Sequence, residues 1–290
     1  MRKEWEGRSV ESALRYPEDV VIFAVGLMMF IVLHRFTKNQ LSKYLIDRFS
    51  KKNVKEIPEN KFNRALFKFV SFSFLLCWGV FSLYDQPWML YPFGLTLEWE
   101  GNRTPWKINY YYVIEVVYYV GSMVTVFFED RQSDFYLMIW HHVVTLLLIG
   151  FSYRYNFLRY GVFLMVLHDV SDPWMEAAKI SVYLGYQNLG NALFAFFTLF
   201  FIIPRIFIYI YMVLYPGYYF LFEYGSKILV PIWCLLISVF LLNLYWASLI
   251  VTMLIDLVAK GKVERDIRDV QEKDFKNISE KGKRKIKSKK

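Results

Sequence analysis

The chain has 290 residues, 56% of them hydrophobic and 20% aromatic, with a net charge of +9. Soluble domains hold about 45–50% apolar residues, so this excess, gathered in long uncharged runs, excludes an ordinary soluble domain and a disordered chain and predicts an all-α polytopic membrane protein. Only two cysteines, Cys77 and Cys234, are present, both in apolar segments, which excludes a disulfide framework.

Taken in chain order, residues 1–19 mix charges of both signs and lack the apolar core of a signal peptide. Seven segments then reach the roughly 20 apolar residues that a membrane span needs: about 16–36, 62–84, 108–128, 135–153, 157–174, 190–215 and 228–258. Lys68 can snorkel at the start of the second, Glu115 interrupts the third, and Pro204-Arg205 lies inside the sixth. The fifth is short and ends in the polar run His168-Asp169-Val170-Ser171-Asp172.

The charge is unevenly spread. Residues 35–61 carry 8 Lys/Arg against 3 Asp/Glu, and residues 260–290 carry 13 against 6. Basic stretches beside spans mark the cytoplasmic face and favour anionic lipid headgroups, which is preferred here over nucleic-acid binding. Seven spans then put the C-terminus in the cytoplasm and the N-terminus on the lumenal or outer side. The loop 85–107 falls on that outer side, where Asn102-Arg103-Thr104 is a glycan acceptor pattern weakened by Pro105.

Three of the four histidines fall inside this apolar frame, as the pair His141-His142 in the fourth segment and as His168 in the fifth. Ionisable groups inside hydrocarbon are costly and functional by default. His141 lies about 9 Å inside its span and His168 is six residues before the end expected near Trp174, so both should share one level below the cytoplasmic surface. Asp169 and Asp172 share a helix face there. Three readings stay open on residues alone: polar glue between helices, a catalytic metal site, and acid–base or nucleophilic catalysis by a histidine held by a carboxylate. Few histidines and no ligand spacing speak against the metal. Arg205 reads as cavity lining or a snorkelling charge, and Glu115 and Asn243 read as helix glue or cavity lining. Asn156 and Arg159 fall in a turn and read as structural. The clusters Tyr110-Tyr111-Tyr112 and Tyr118-Tyr119 read as interface belts or packing.

The run His141-His142-Val143-Val144-Thr145, then Phe151-Ser152-Tyr153, Asn156, Arg159, Gly161, His168-Asp169, Ser171-Asp172 and Glu176-Ala177-Ala178-Lys179 resembles the Lag1 motif of ceramide synthases, enzymes of the endoplasmic reticulum that carry the TRAM-Lag1-CLN8 (TLC) domain. The likeness extends upstream to Arg131-Gln132-Ser133-Asp134-Phe135 and downstream to Leu244-Tyr245-Trp246-Ala247-Ser248-Leu249-Ile250. Gln132-Ser133 replaces a usual basic pair, and Glu115 stands where that family often has glutamine.

The resemblance implies a domain over residues 61–260, preceded by a segment 1–60 with the first span and a basic loop, and followed by a basic tail, 261–290. It implies six spans around a central cavity with the first span outside. It implies transfer of a fatty acyl group from acyl-CoA, the co-substrate, to a sphingoid base, with no cofactor and no metal. The catalytic residues carried over are His141, His142, Asp169 and Asp172, with the first histidine acylated. Candidate substrate-binding residues are His168, Arg131, Lys179, Arg205, Asn243 and Trp246. Membrane lipids are expected partners, a homodimer or a small regulatory membrane subunit is compatible with the family, and nucleic acid is not a partner. A lipid-binding relative without catalysis and a metal-dependent lipid hydrolase are the alternatives.

Overall fold

A computed structural model of the chain describes residues 18–50, 57–96, 105–128, 132–224 and 229–261. The described residues are mostly helical, with no strand among them, and the protein is an all-α polytopic membrane protein. Five stretches are long and apolar enough to cross a membrane: Val20–Phe49, Glu59–Leu83, Phe135–Arg154, Gln187–Leu221 and Leu229–Ala259.

Helix α1 (Glu18–Phe36) continues through a π-helical turn into the short α2 (Ser42–Phe49). It is followed by α3 (Glu59–Leu83), α4 (Trp106–Val126) and α5 (Phe135–Arg154). Helix α1 lies outside the bundle against α4 and keeps most of its surface exposed. Two small residues allow that approach: a methyl at Gly26 would meet Val117 at 2.8 Å, and one at Gly121 would meet Phe30 at 2.6 Å.

The expected fifth span is the main departure. Helix α6 (Leu158–Asp169) stops at Val170, and α7 (Asp172–Tyr183) restarts with Pro173 in its first turn. Proline suits a first helical turn, because its missing N–H would be unpaired there anyway. The polar run therefore does not end a span near Trp174; it forms a break inside the bundle. Leu184, after α7, packs with Phe62 and Leu66 at the start of α3. Asp172 is thus about 18 Å from that end, at 1.5 Å per residue, not close beneath a surface.

Helix α6 is buried on nearly every side, packed against α3, α4 and α5, as expected of a helix with no polar face. Beyond α7, helix α8 (Gln187–Ile202) passes into a π-helix (Ile203–Leu214) and then α9 (Tyr215–Tyr224). The π-helix begins beside Pro204, whose ring clashes with the carbonyl four residues back and forces the wider turn. Helix α10 (Leu229–Lys260) closes the bundle against α5 and the π-helix.

The two ends of the bundle differ. At the end where α3 starts and α10 finishes, here called the near end, α5 begins deep. Asp134, just before α5, accepts a hydrogen bond from Trp246 Nε1 of α10 at 3.2 Å, and Trp246 lies about 21 Å short of the α10 terminus at 1.5 Å per residue. At the far end, Asn156 takes φ 59° in the α5–α6 turn, a left-handed conformation that asparagine tolerates well. Arg159 stacks over Trp88 at 5.5 Å. Two short turns, Pro87–Leu90 and Pro92–Thr96, fold over this end and bury Leu95 in the main core. Asn102 lies outside the described residues.

Candidate active site

The break between α6 and α7 holds one polar network. His168 Nδ1 is 2.8 Å from the Leu164 carbonyl, which can only accept, so Nδ1 carries the hydrogen. His168 Nε2 then accepts from Asn243 Nδ2 of α10 at 3.2 Å. Both ring nitrogens are thereby occupied and the neutral ring is fixed in one tautomer. Arg205, on the π-helix, donates to the His168 carbonyl and to Asp172 Oδ1. Ser171 Oγ donates to the same Asp172 oxygen at 2.8 Å, and the Arg205 guanidinium lies 4.7 Å over the Phe201 ring. Asp169 Oδ2 accepts from the Tyr111 hydroxyl of α4 at 2.5 Å.

The second cluster is the histidine pair on α5. His142 is buried, with 5% exposure, while His141 lines a cavity. Neither Nδ1 has a hydrogen-bond partner. The His141 ring lies 5.4 Å from Trp246 and 5.8 Å from His142. Tyr119 of α4 packs on both, at 6.1 Å from His141 and 5.6 Å from His142.

The cavity encloses about 940 Å³ counting its open mouth. Its wall runs from His141 and His168 past Thr145 and Leu164 to Gly217, Phe220 and Trp233 towards the far end. It is mostly apolar and elongated, a shape that suits a hydrocarbon chain with its reactive end at the imidazole.

The structure brings together most of the residues singled out in the sequence. His168, Asp169, Asp172, Arg205 and Asn243 share the break; His141, His142 and Trp246 share the cavity head. The expected histidine–carboxylate hydrogen bond is not among the described contacts: Asp169 is held by Tyr111, and Asp172 by Arg205 and Ser171. Lys179 pairs with Glu176 at 3.1 Å on α7. Arg131 lies outside the described residues. Among the described residues, no group of three or more His, Cys, Asp and Glu side chains could hold a metal ion.

The tyrosines are the residues that sequence reasoning undervalued. Tyr111 and Tyr119 enter the site, and Tyr112 bonds Ser152 at 3.0 Å and the Leu158 carbonyl at 3.3 Å. The available signal was the spacing Tyr111, Glu115, Tyr119, which repeats every four residues along one helix face.

The TLC domain profile matches residues 61–252. The chain is 32% identical over 217 residues to human ceramide synthase 5, covering 72% of this chain and 54% of that one. It is 31% identical over 228 residues to ceramide synthase 4 of Bos taurus, covering 74% and 55%. It is 28% identical over 273 residues to a ceramide synthase 1 of Arabidopsis thaliana, covering 83% and 85%. The chain thus spans about half the length of those two animal relatives.

Proposed function

We propose that this chain, which belongs to the TLC domain family, is a ceramide synthase that moves a fatty acyl group from acyl-CoA onto the amine of a sphingoid base. The observation that carries this reading is the elongated apolar cavity that ends on His141. The relatives named as ceramide synthases supply the substrate classes.

In this reading the acyl chain lies in the cavity and its thioester meets the His141 ring. An imidazole nitrogen attacks the carbonyl carbon, the carbon–sulfur bond breaks, and the CoA thiolate leaves and takes a proton. The acyl-imidazole so formed is a good acyl donor. The sphingoid ammonium loses a proton, its free amine attacks the same carbon, and the amide leaves as His141 is restored. One proton is released overall. His142, buried behind, assists as acid–base partner or stabilises the oxyanion. The negative charge of the Asp169 cluster stabilises the positive acyl-imidazole. His168 is assigned a fixed architectural role, because both of its nitrogens are engaged.

The five long spans, with α4 and the broken pair α6–α7, make seven crossings, six of them around the cavity with α1 outside. The near end faces the cytoplasm of an endoplasmic-reticulum membrane, and the N-terminus faces the lumen. Residues 1–60, 61–260 and 261–290 are then entry segment, catalytic domain and basic tail. Arg131, Lys179 and the tail attract the CoA phosphates, and Arg205, Asn243 and Trp246 shape the site. No cofactor is required, and a second copy of the chain or a small regulatory membrane subunit is the expected protein partner.

The test is direct. Purified chain given labelled sphinganine and a long-chain acyl-CoA should form the labelled amide, and intact mass after acyl-CoA alone should show one acyl adduct. Both should vanish in His141→Ala. Absence of product from the folded wild-type chain overturns the function; an adduct that survives His141→Ala overturns the nucleophile.

A further inference from the structure

Beyond the histidine head, the cavity wall carries three hydroxyls, those of Thr145, Ser152 and Tyr160. Two of them are committed to protein. Ser152 Oγ donates to the Ile149 carbonyl at 2.9 Å and shares a bond with Tyr112 at 3.0 Å, and the Tyr160 hydroxyl donates to the Val213 carbonyl. Thr145 has no hydrogen-bond partner among the described residues. In apolar surroundings a helical threonine commonly turns its hydroxyl back onto a carbonyl three or four residues earlier. Thr37, Thr125, Thr198 and Thr252 all do so, at 2.9–3.0 Å. Thr145 is the exception.

The register of α5 fixes what this hydroxyl meets. Trp140, Leu147 and Gly150 are exposed on the outer side of the helix. His141, Thr145, Leu148 and Ser152 follow one another at steps of four, three and four, and all line the cavity. Thr145 stands about 6 Å beyond His141 along the axis, at 1.5 Å per residue, on the side of the far end. An acyl chain joined at the His141 ring and running to the far end passes Thr145 with its first carbons. The adjoining wall of Leu148, Leu164 and Met165 offers no polar side chain. A free hydroxyl has one donor and two lone pairs. A plain chain uses none of them, and Thr145 can then turn onto the His141 carbonyl. A chain that carries its own hydroxyl at this depth gains a bond.

We propose that Thr145 is a specificity residue for the acyl donor: its Oγ1 bonds a hydroxyl on one of the first carbons after the carbonyl, so that 2- or 3-hydroxyacyl chains are favoured over plain chains of the same length. Its effect on turnover rests on the acyl transfer proposed above; its effect on binding rests only on the chain lying in the cavity.

Two measurements on the full chain test this. In the first, kcat/KM for 2-hydroxypalmitoyl-CoA and 3-hydroxypalmitoyl-CoA is set against that for palmitoyl-CoA. One hydroxylated donor should be favoured by about 3- to 10-fold, the factor that one net hydrogen bond carries. Thr145→Val, which puts a methyl in place of the hydroxyl at the same shape, should erase the preference, and Thr145→Ser should keep it. In the second, the melting shift given by the matching hydroxypalmitic acid is set against that given by palmitic acid. The hydroxy acid should raise the melting temperature further in the wild type and in Thr145→Ser, but not in Thr145→Val; melts without ligand separate a lost preference from a lost fold. A wild type whose melting does not tell the two acids apart overturns the proposal. So does a preference that survives Thr145→Val, or a loss in that variant equal for plain and hydroxylated donors, since the hydroxyl would then serve the reaction or the sphingoid base. No amide from any donor, with the Thr145-dependent shift intact, sinks the acyl transfer and leaves the subsite standing. Amide formed from plain and hydroxylated donors alike sinks only this inference.

Discussion

A histidine with both ring nitrogens bound has little proton chemistry left, and that separates His168 from His141. Three intramembrane histidines look alike in the sequence; their partners sort them. The partner of His168 arrives from Asn243, 75 positions away, and no local pattern announces it. The same holds for Arg205, which read as cavity lining within its span and is the clamp on Asp172. Removing it leaves a carboxylate of 20% exposure without its cation. Arg205→Met should therefore destabilise the folded chain by about 3–5 kcal/mol, seen as a sharp fall in melting temperature in detergent. Arg205→Lys should fall between, because a point charge replaces one fork of the guanidinium pair but not both contacts. Equal melting of Met and Lys variants would remove the charge from the explanation.

Among the helices, those that formed long apolar runs were legible, and their bounds differ from the expected ones by a few residues. The broken crossing was not, because Pro173 reads equally as a stop after a helix or as a first turn within one, and only packing against α3 decides. Gly161 marks where α6 meets α4 and α5. A methyl there would lie 1.8 Å from the Tyr112 hydroxyl and 2.6 Å from Ser152 Oγ. Gly161→Ala should cost about 1–3 kcal/mol through overpacking, whereas Gly150→Ala, with nothing within 4 Å of the new methyl, should be neutral or stabilising by up to about 1 kcal/mol from helix propensity. Parallel thermal melts check the pair.

The α3–α4 connection carries an ion pair between Lys107 and Asp85 at 2.5 Å. Hydrogen bonding from Lys107 holds the Asp85 carboxyl below its ordinary range. A depressed folded value means that the contribution is complete above about pH 4, the unfolded value, and is lost as pH falls through the lower folded one. Lys107→Met should thus change the acid limb of the stability curve and leave its slope between about pH 5 and 8 untouched; a change of slope near neutrality would contradict the assignment.

For the molecule as a whole, one long cavity connects the histidines to the far end. Along α5, His141 and Ser152, both on its wall, are about 16 Å apart at 1.5 Å per residue. Gly217 lines the far part, where an added methyl already comes within 3.1 Å of the Tyr160 hydroxyl and 3.4 Å of Trp233. Gly217→Leu should shorten the preferred acyl chain in a panel of saturated acyl-CoAs; an unchanged optimum would mean that the chain lies elsewhere. Composition foretold an apolar interior, but not its length, which depends on how five helices lean together.

The deep start of α5 also sets a requirement on reach. With Asp134 tied to Trp246, itself well short of the end of α10, the histidine pair stands inside the bundle rather than at its rim. In the proposed reaction, an acyl donor entering from the near end would have to carry its sulfur that far down while its bulky head stays above. A thioester carried close against a folded protein could not make that descent, whereas one hung from a long flexible arm could. In that reaction the depth of the histidines would gauge the carrier, as the cavity would gauge the chain.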